Sequence, residues 1–340
     1  MTPVLTRGVS IRLRVAVGFT ALGLIWGTTP LTIKAGLLAE WQPLWFCALR
    51  LLTAFLVLSP LIMTRYAGEP LGLAGWRVVW PIGVFGMAVN FGVTVWGQQY
   101  IGAALASLIV GTQPITTTVI VHLVRRDAPT RRFVLSLVIG TVGMCVVFRG
   151  VGVPGSMALV GALAVFAGVT VYGAMYVYIN TRVGQLNLIR IVAGQNLIGG
   201  ICVAIAAALF EGRPVAPDDS HAWFAFAYLV TASSIVALLL ANWLIARMGA
   251  ARFSILSFVT PLVGVVASVI VLGESLGLIT VTGAGLVGVA LLFALDPGPR
   301  RSGTASISPV PVIGSGRRVE SCGPRDVTPG PPAICPQNGR

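Results

Sequence analysis

Long apolar runs separated by short arginine-bearing links set the rhythm of this chain. Runs of about 20 residues, the length at which a helix crosses hydrocarbon, fall at roughly 15–38, 43–63, 77–98, 103–124 and 132–149. Five more follow at roughly 156–179, 188–210, 223–246, 251–272 and 276–295. The pattern predicts an all-α membrane protein of ten transmembrane helices joined by short connections.

Composition agrees with lipid as the solvent. Of 340 residues, 56% are hydrophobic and 10% charged, where soluble domains carry about 25% charged residues. A formal net charge of +13 would suit nucleic acid if the cations formed a patch or stripe. Instead every cation except Lys34 is arginine, and nearly all stand at the ends of apolar runs or in the C-terminal tail, so no nucleic-acid partner is expected. Arg7, Arg12 and Arg14 precede an apolar stretch that continues past Trp26 and Pro30 to Leu38 without an A-x-A site. That stretch reads as the first span, not as a cleaved signal.

Arginines also orient the spans, because cytoplasmic loops retain positive charge. Arg65 and Arg77, the Arg125–Arg132 cluster, Arg182 and Arg190, and Arg247 and Arg252 alternate onto the side of the N-terminal arginines. The opposite loops hold Arg149 and Arg213 with Glu40, Glu211, Asp218, Asp219 and Glu274. Both termini are therefore expected in the cytoplasm of a multi-pass cell-membrane protein. From Asp296 the chain turns to Pro, Gly, Ser and Arg, and residues 296–340 are expected to form a disordered tail. Cys47, Cys145, Cys202, Cys322 and Cys335 form no CxxC, and they lack the spacing of a disulfide framework or zinc site.

Comparing the halves is the most informative step. A-A-L-A-S-L-I-V-G-T-Q-P (Ala103 to Pro114) resembles A-A-R-F-S-I-L-S-F-V-T-P (Ala250 to Pro261), with Ser107 on Ser254 and Pro114 on Pro261. At the same offset Trp96 falls on Trp243 and Asp127 on Glu274, and one residue nearer Trp26-Gly27 lies against Tyr172-Gly173. The chain reads as two duplicated five-helix units, 15–149 and 156–295. Because five is odd, the units are expected to be inverted in topology, an arrangement that lets paired repeats exchange conformations around a midplane site.

With W-G-T-T-P-L-T-I-K (Trp26 to Lys34), an arginine inside span two (Arg50), A-S-L-I-V-G-T-Q-P, M-G-A-A-R-F-S-I-L-S-F-V-T-P (Met248 to Pro261) and L-G-E (Leu272 to Glu274), the chain resembles the EamA family of the drug/metabolite transporter superfamily over about residues 15–295. In the first half R-R-D (Arg125 to Asp127) replaces the L-G-E that the resemblance leads one to expect. The resemblance implies a secondary transporter that moves small polar metabolites, commonly amino acids or drug-like compounds, often outward. Its partners would be a small-molecule substrate and the lipid bilayer, with proton or substrate counter-flow as the coupling and no cofactor or metal.

Candidate site residues are those that hydrocarbon penalises. Lys34 and Arg50 are the cations placed inside spans. Lys34 stands near a span end, where it either snorkels or meets substrate. Arg50 lies about 10 Å inside its span, as a brace on neighbouring carbonyls or as the contact for an anionic substrate group. Thr28, Asn90, Gln98, Gln113, Gln195, Asn196 and Asn242 are uncharged polar residues at depth, each needing an interhelical partner or a cavity. Trp26, Tyr172 and Tyr176 offer flat amphipathic walls. Pro114 and Pro261 stand mid-span, as bends that serve packing or a hinge.

No Asp or Glu lies deep in a span, which leaves a carboxylate proton relay without a candidate. The loops carry no phosphate-cradling, zinc-binding or nucleophile-elbow motif, so an enzyme is not expected. The competing reading is a non-transporting integral membrane protein, either a membrane-embedded enzyme or a lipid-handling protein.

Overall fold

The computed structural model describes residues 3–64, 70–125, 156–182, 186–248 and 277–295, with single positions between 131 and 146 and between 253 and 271. All belong to one unit, Met1–Thr304. Pro261, Asp127, Glu274, the tail and most of spans five and nine lie outside the described residues. Among those described, every regular element is helical. Among the described residues six helices are long and apolar enough to cross a membrane: Leu13–Leu38, Pro43–Ile62, Leu73–Gln98, Met157–Arg182, Leu188–Phe210 and Ser220–Arg247.

In chain order, α1 is Pro3–Leu38 and α2 is Pro43–Ile62. Helix α3 runs from Leu73 to Gln98, followed by α4 (Ala103–Val110) and α5 (Gln113–Arg125). The second half supplies α6 (Ser156–Arg182), α7 (Leu188–Phe210), α8 (Ser220–Arg247) and α9 (Leu278–Leu295). Their ends follow local chemistry. Pro43 opens α2 where no amide donor is needed, and the side chains of Asn187 and Asp219 accept from Ile189 N and His221 N to cap α7 and α8.

Polarity is reversed relative to a soluble protein. Leu209 and Phe224 are 75% and 73% exposed, whereas Arg50, Asn90, Gln98, Gln113, Gln195, Asn196 and Asn242 are buried. Water would penalise such a surface, while acyl chains match it.

The helices pack across the two halves, with α2 lying along α7 and α3 between α6 and α7. Small residues set the separations, as expected where backbones must approach closely in lipid. A Cβ on Gly97 of α3 would stand 2.6 Å from the carbonyl oxygen of Gly161 in α6, and one on Gly200 of α7 would stand 3.1 Å from Leu52 N in α2. Each close approach joins one half to the other.

Two helices leave α geometry in mid-span. Ile82–Val89 in α3 and Leu229–Val236 in α8 are π-helical. They are displaced by the same 147 residues that carry Ala103 onto Ala250. The α segments before them, Leu73–Pro81 and Ser220–Tyr228, keep that offset too. A π segment disturbs the i→i−4 ladder, and such segments frequently mark functional sites.

Span four also departs from a simple helix. Its expected mid-span bend at Pro114 is replaced by a break at Gly111–Thr112, after which α5 begins at Gln113. Pro114 thus occupies the first turn of a new helix, where its missing N–H removes no intrahelical bond.

Candidate functional site

Near the middle of the bundle α1, α2, α3 and α6 diverge around a cavity that Val110 of α4, Gln113 of α5 and Ser233 of α8 complete. Centres of water-sized spheres can occupy about 90 Å³ of it, room for several waters. The walls come from both halves. Trp26, Arg50, Asn90, Gln98 and Gln113 belong to the first, and Tyr172, Tyr176, Val169 and Ser233 to the second. The extended α1 reaches this place through Trp26, Thr29, Pro30 and Ile33. Pro30 has no N–H to give to the carbonyl of Trp26 one turn earlier, so a polar backbone group is available beside the cavity.

Aromatic rings form one side. Trp26 meets Tyr172 edge-on with centroids 6.2 Å apart and Phe253 at 6.0 Å. Tyr176 lies 4.7 Å from Tyr172 and 5.1 Å from Phe253, and Phe91 is 6.0 Å from Tyr172. Edge-to-face packing of this kind holds rings in place, giving a wall of fixed shape.

Beside Phe91 is Arg50, 1% exposed. Its guanidinium carbon sits 4.6 Å above the Phe91 ring, a cation–π contact that partly offsets desolvation. Cys47, one turn earlier on α2, is its polar neighbour. Nε and Nη1 of Arg50 have no hydrogen-bond partner within the protein. The same holds for Thr94 Oγ1, Gln98 Oε1, Gln113 Nε2 and the Tyr176 hydroxyl, all belonging to residues that line this cavity. Buried polar atoms are ordinarily paired, and six of the unpaired ones among the described residues share this one space.

Of the residues singled out in the sequence, Trp26, Arg50, Asn90, Gln98, Gln113, Tyr172 and Tyr176 come together here. Five do not. Lys34 reaches Gln98 O at 3.2 Å and Gln99 O at 3.4 Å, placing its charge on the last carbonyls of α3, where the helix dipole favours a cation. Thr28 pairs with the Tyr228 hydroxyl at 2.6 Å. Asn196 donates to Val192 O at 2.8 Å and across to Ser234 O at 3.1 Å, tying α7 to the π segment of α8. Asn242 donates to Leu238 O at 2.8 Å, and Gln195 is buried away from the lining with both amide atoms unpaired.

Sequence reasoning passes over Phe91 and Thr94, which line the cavity, and Phe253, which packs against Trp26 and Tyr176. Phe91 follows the polar Asn90 directly, and Phe253 lies inside the motif Met248–Pro261, so their neighbours carry the signal even though an apolar ring in an apolar run does not stand out.

One end of the bundle is built differently. The ring of Trp41 stacks on Phe46 at 5.2 Å and Phe226 at 5.4 Å and meets Trp223 edge-on at 5.3 Å, while its Nε1 donates to Ala222 O at 3.1 Å. The carboxylate of Glu211 accepts from Leu44 N at 2.8 Å and Trp45 N at 3.0 Å, so α7 of one half caps α2 of the other with a charge suited to a helix N-terminus. Gln42 completes the join by donating to Glu211 O and accepting from Val215 N.

Comparison with known proteins gives this architecture its place. The EamA-like transporter family matches the chain twice, over residues 14–149 and 159–295. The chain belongs to the EamA-like transporter family. Its relatives include the uncharacterized inner membrane transporter YedA of Escherichia coli (strain K12), 26% identical over 282 residues that make up 80% of this chain and 88% of YedA. The uncharacterized transporter YvbV of Bacillus subtilis (strain 168) is 26% identical over 280 residues, 81% of this chain and 89% of YvbV. A solved crystal structure of a protein shares the fold with a TM-score of 0.61 at 17% identity, covering 83% of this chain and 96% of that one. Family membership makes this a membrane transporter, with a small molecule as its cargo and the bilayer as its surroundings.

Proposed function

We propose that this EamA-family protein is a secondary transporter that exports small polar metabolites, amino acids or drug-like compounds by alternating access, binding them in the central cavity. The observation that carries the reading is the cavity itself, a cluster of buried, unpaired polar atoms facing aromatic rings at the junction of the two halves. A site shared by two repeats changes its openings when the repeats exchange conformations. The π segments at matching positions in α3 and α8 support this, since each offers a weakened point at which a helix bends.

In this reading the two five-helix units are inverted, both termini are cytoplasmic, and the Trp41 end faces outward. Four aromatic rings and the Glu211 cap close that end. Arg50 stands one turn further along α2 than Phe46, so a solute in the cavity passes outward only after the Trp41 cluster separates. Chain-internal groups do the binding: the guanidinium and the amides orient the solute's polar end, and the rings exclude water from its apolar body.

Proteoliposomes containing the purified protein, tested for uptake and efflux against a metabolite library with and without a pH gradient, provide the test. Saturable flux of at least one solute, diminished by Arg50→Ala and Trp26→Ala, is the expected result. Flux equal to that of empty liposomes for every solute would sink the proposal.

A further inference from the structure

We infer that the cavity selects organic monoanions, a single carboxylate or equivalent acid group on a compact apolar body, with Arg50 as the fixed counter-charge. This rests on the transporter reading above and narrows it to a substrate class.

Charge balance is the first argument. Arg50 is the one ionised side chain in the described lining, which contains no Asp, Glu or Lys. Between Phe253 and Leu272, and throughout residues 276–295, there is no charged residue. A guanidinium buried to 1% exposure without an anionic partner carries a desolvation cost that a pair would offset. A monoanion neutralises it. A dianion leaves one charge uncompensated, and an organic cation meets repulsion at close range in a low dielectric.

Donor chemistry is the second argument. Arginine has donors and no acceptor, whatever its surroundings. Its Nε and Nη1 are unpaired, as are Gln113 Nε2 and the hydroxyls of Tyr176 and Thr94, which are free to turn their protons inward. Gln98 Oε1 is the unpaired acceptor, and a rotated amide would add a further donor. A carboxylate offers about four acceptor positions to this excess of donors, and charge-assisted bonds to a guanidinium are the strongest of their kind. The edge-to-face rings of Trp26, Tyr172 and Phe91 then enclose an apolar body.

Energetics supply the third argument. In a cell with a negative interior, moving one negative charge outward releases about 2.3 kcal/mol per 100 mV. Outward movement of a monoanion is therefore driven by the membrane potential and needs no proton relay. The spans lack a deep carboxylate for such a relay.

A matched set of ligands tests the inference on the full-length protein in detergent. Phenylacetate, phenylacetamide, phenylethylammonium and phenylalanine share one ring and differ in headgroup charge. Isothermal titration is expected to show phenylacetate binding at least about tenfold tighter than the other three, a difference of the size that one charged hydrogen bond provides. Arg50→Lys is expected to retain part of this preference and Arg50→Gln to abolish it, with size-exclusion profiles checking that both variants fold. In proteoliposomes an inside-negative potassium diffusion potential is expected to accelerate efflux of benzenesulfonate, a permanently charged analogue that does not leak as a neutral acid.

Equal binding of acid and amide, tighter binding of the cation or the zwitterion, or no binding of any of the four by the wild-type protein overturns the inference, and the wild-type series decides even if Arg50→Gln does not fold. Failure of the transporter reading looks different. Charge-selective binding without flux of any solute would remove transport and leave the anion site, whereas robust flux of neutral or cationic solutes without anion preference would do the reverse.

Discussion

The Trp41 end, at the link between α1 and α2, and the Arg50 cavity further along α2 are built on opposite rules. At the Trp41 end the described polar contacts are made: the indole finds Ala222 O, Glu211 finds two backbone amides, and Gln42 uses both ends of its amide. In the cavity, six atoms on five buried or half-buried side chains find no partner inside the protein. The first region uses its polar groups to hold the halves together. The second withholds them, which costs stability and leaves binding capacity for something that is not part of the chain. Substitutions in the two regions should therefore move different observables.

The largest separation is expected at Arg50. Replacing it with Gln removes the charge and its donors, so flux of an accepted solute should fall about ten- to a hundredfold, the worth of one charged hydrogen bond. The melting temperature should hold or rise, because an uncompensated buried charge has been deleted. A melting temperature that drops together with flux would show that Arg50 braces the fold and would erase the contrast. Next is Trp41→Ala, which empties a site buried to 4% exposure and is expected to lower unfolding stability by about 3 kcal/mol. Titration should find the affinity of the cavity for phenylacetate changed by less than about threefold, a fraction of one hydrogen bond's worth.

A third change probes a close contact between α3 and α6, two helices that line the cavity. A methyl group on Gly161 meets the backbone of Gly97 at 2.6 Å, and a backbone atom cannot rotate away. Gly161→Ala should cost about 1–3 kcal/mol through overpacking and should weaken binding as well, because α3 and α6 both line the site. Unaltered affinity and stability would mean that the helices separate at no cost. The smallest effect is expected from Glu211→Gln, which keeps the shape of the cap and loses its charge at the α2 N-terminus. A loss of about 0.5–1 kcal/mol in chemical unfolding, with binding untouched, would fit a purely structural role. Loss of binding without loss of stability would instead tie the Trp41 end to the cavity.

Much of this organisation is legible in the chain itself. The apolar runs announce membrane helices because hydrocarbon accepts little else, and the offset carrying Ala103 onto Ala250 announces a duplication that reappears as paired π segments at Ile82–Val89 and Leu229–Val236. Arg50 stands out because a cation deep within a span is costly unless a neighbour or a ligand compensates it. Lys34 stands out by the same rule and goes elsewhere, onto the carbonyls ending α3. The rule registers the cost of a charge and says nothing about which neighbour offsets it. Asn196 and Asn242 likewise meet carbonyls on α7 and α8, while Gln98 and Gln113, polar amides at similar depth, turn toward the cavity.

The division follows from what each level of organisation contains. Solvent preference is a property of single residues and their spacing, so the sequence alone determined that this is an all-helical membrane protein made of two related halves, with a family resemblance to match. Whether a polar side chain is paired depends on the rotation and separation of helices far apart in the chain, set here by contacts such as Gly97 on Gly161 and Gly200 on Leu52. Only the tertiary structure decided that Arg50, Gln113 and Tyr176 face one space with their donors unused, that Phe91 walls it, and that Phe253 packs against the rings of Trp26 and Tyr176.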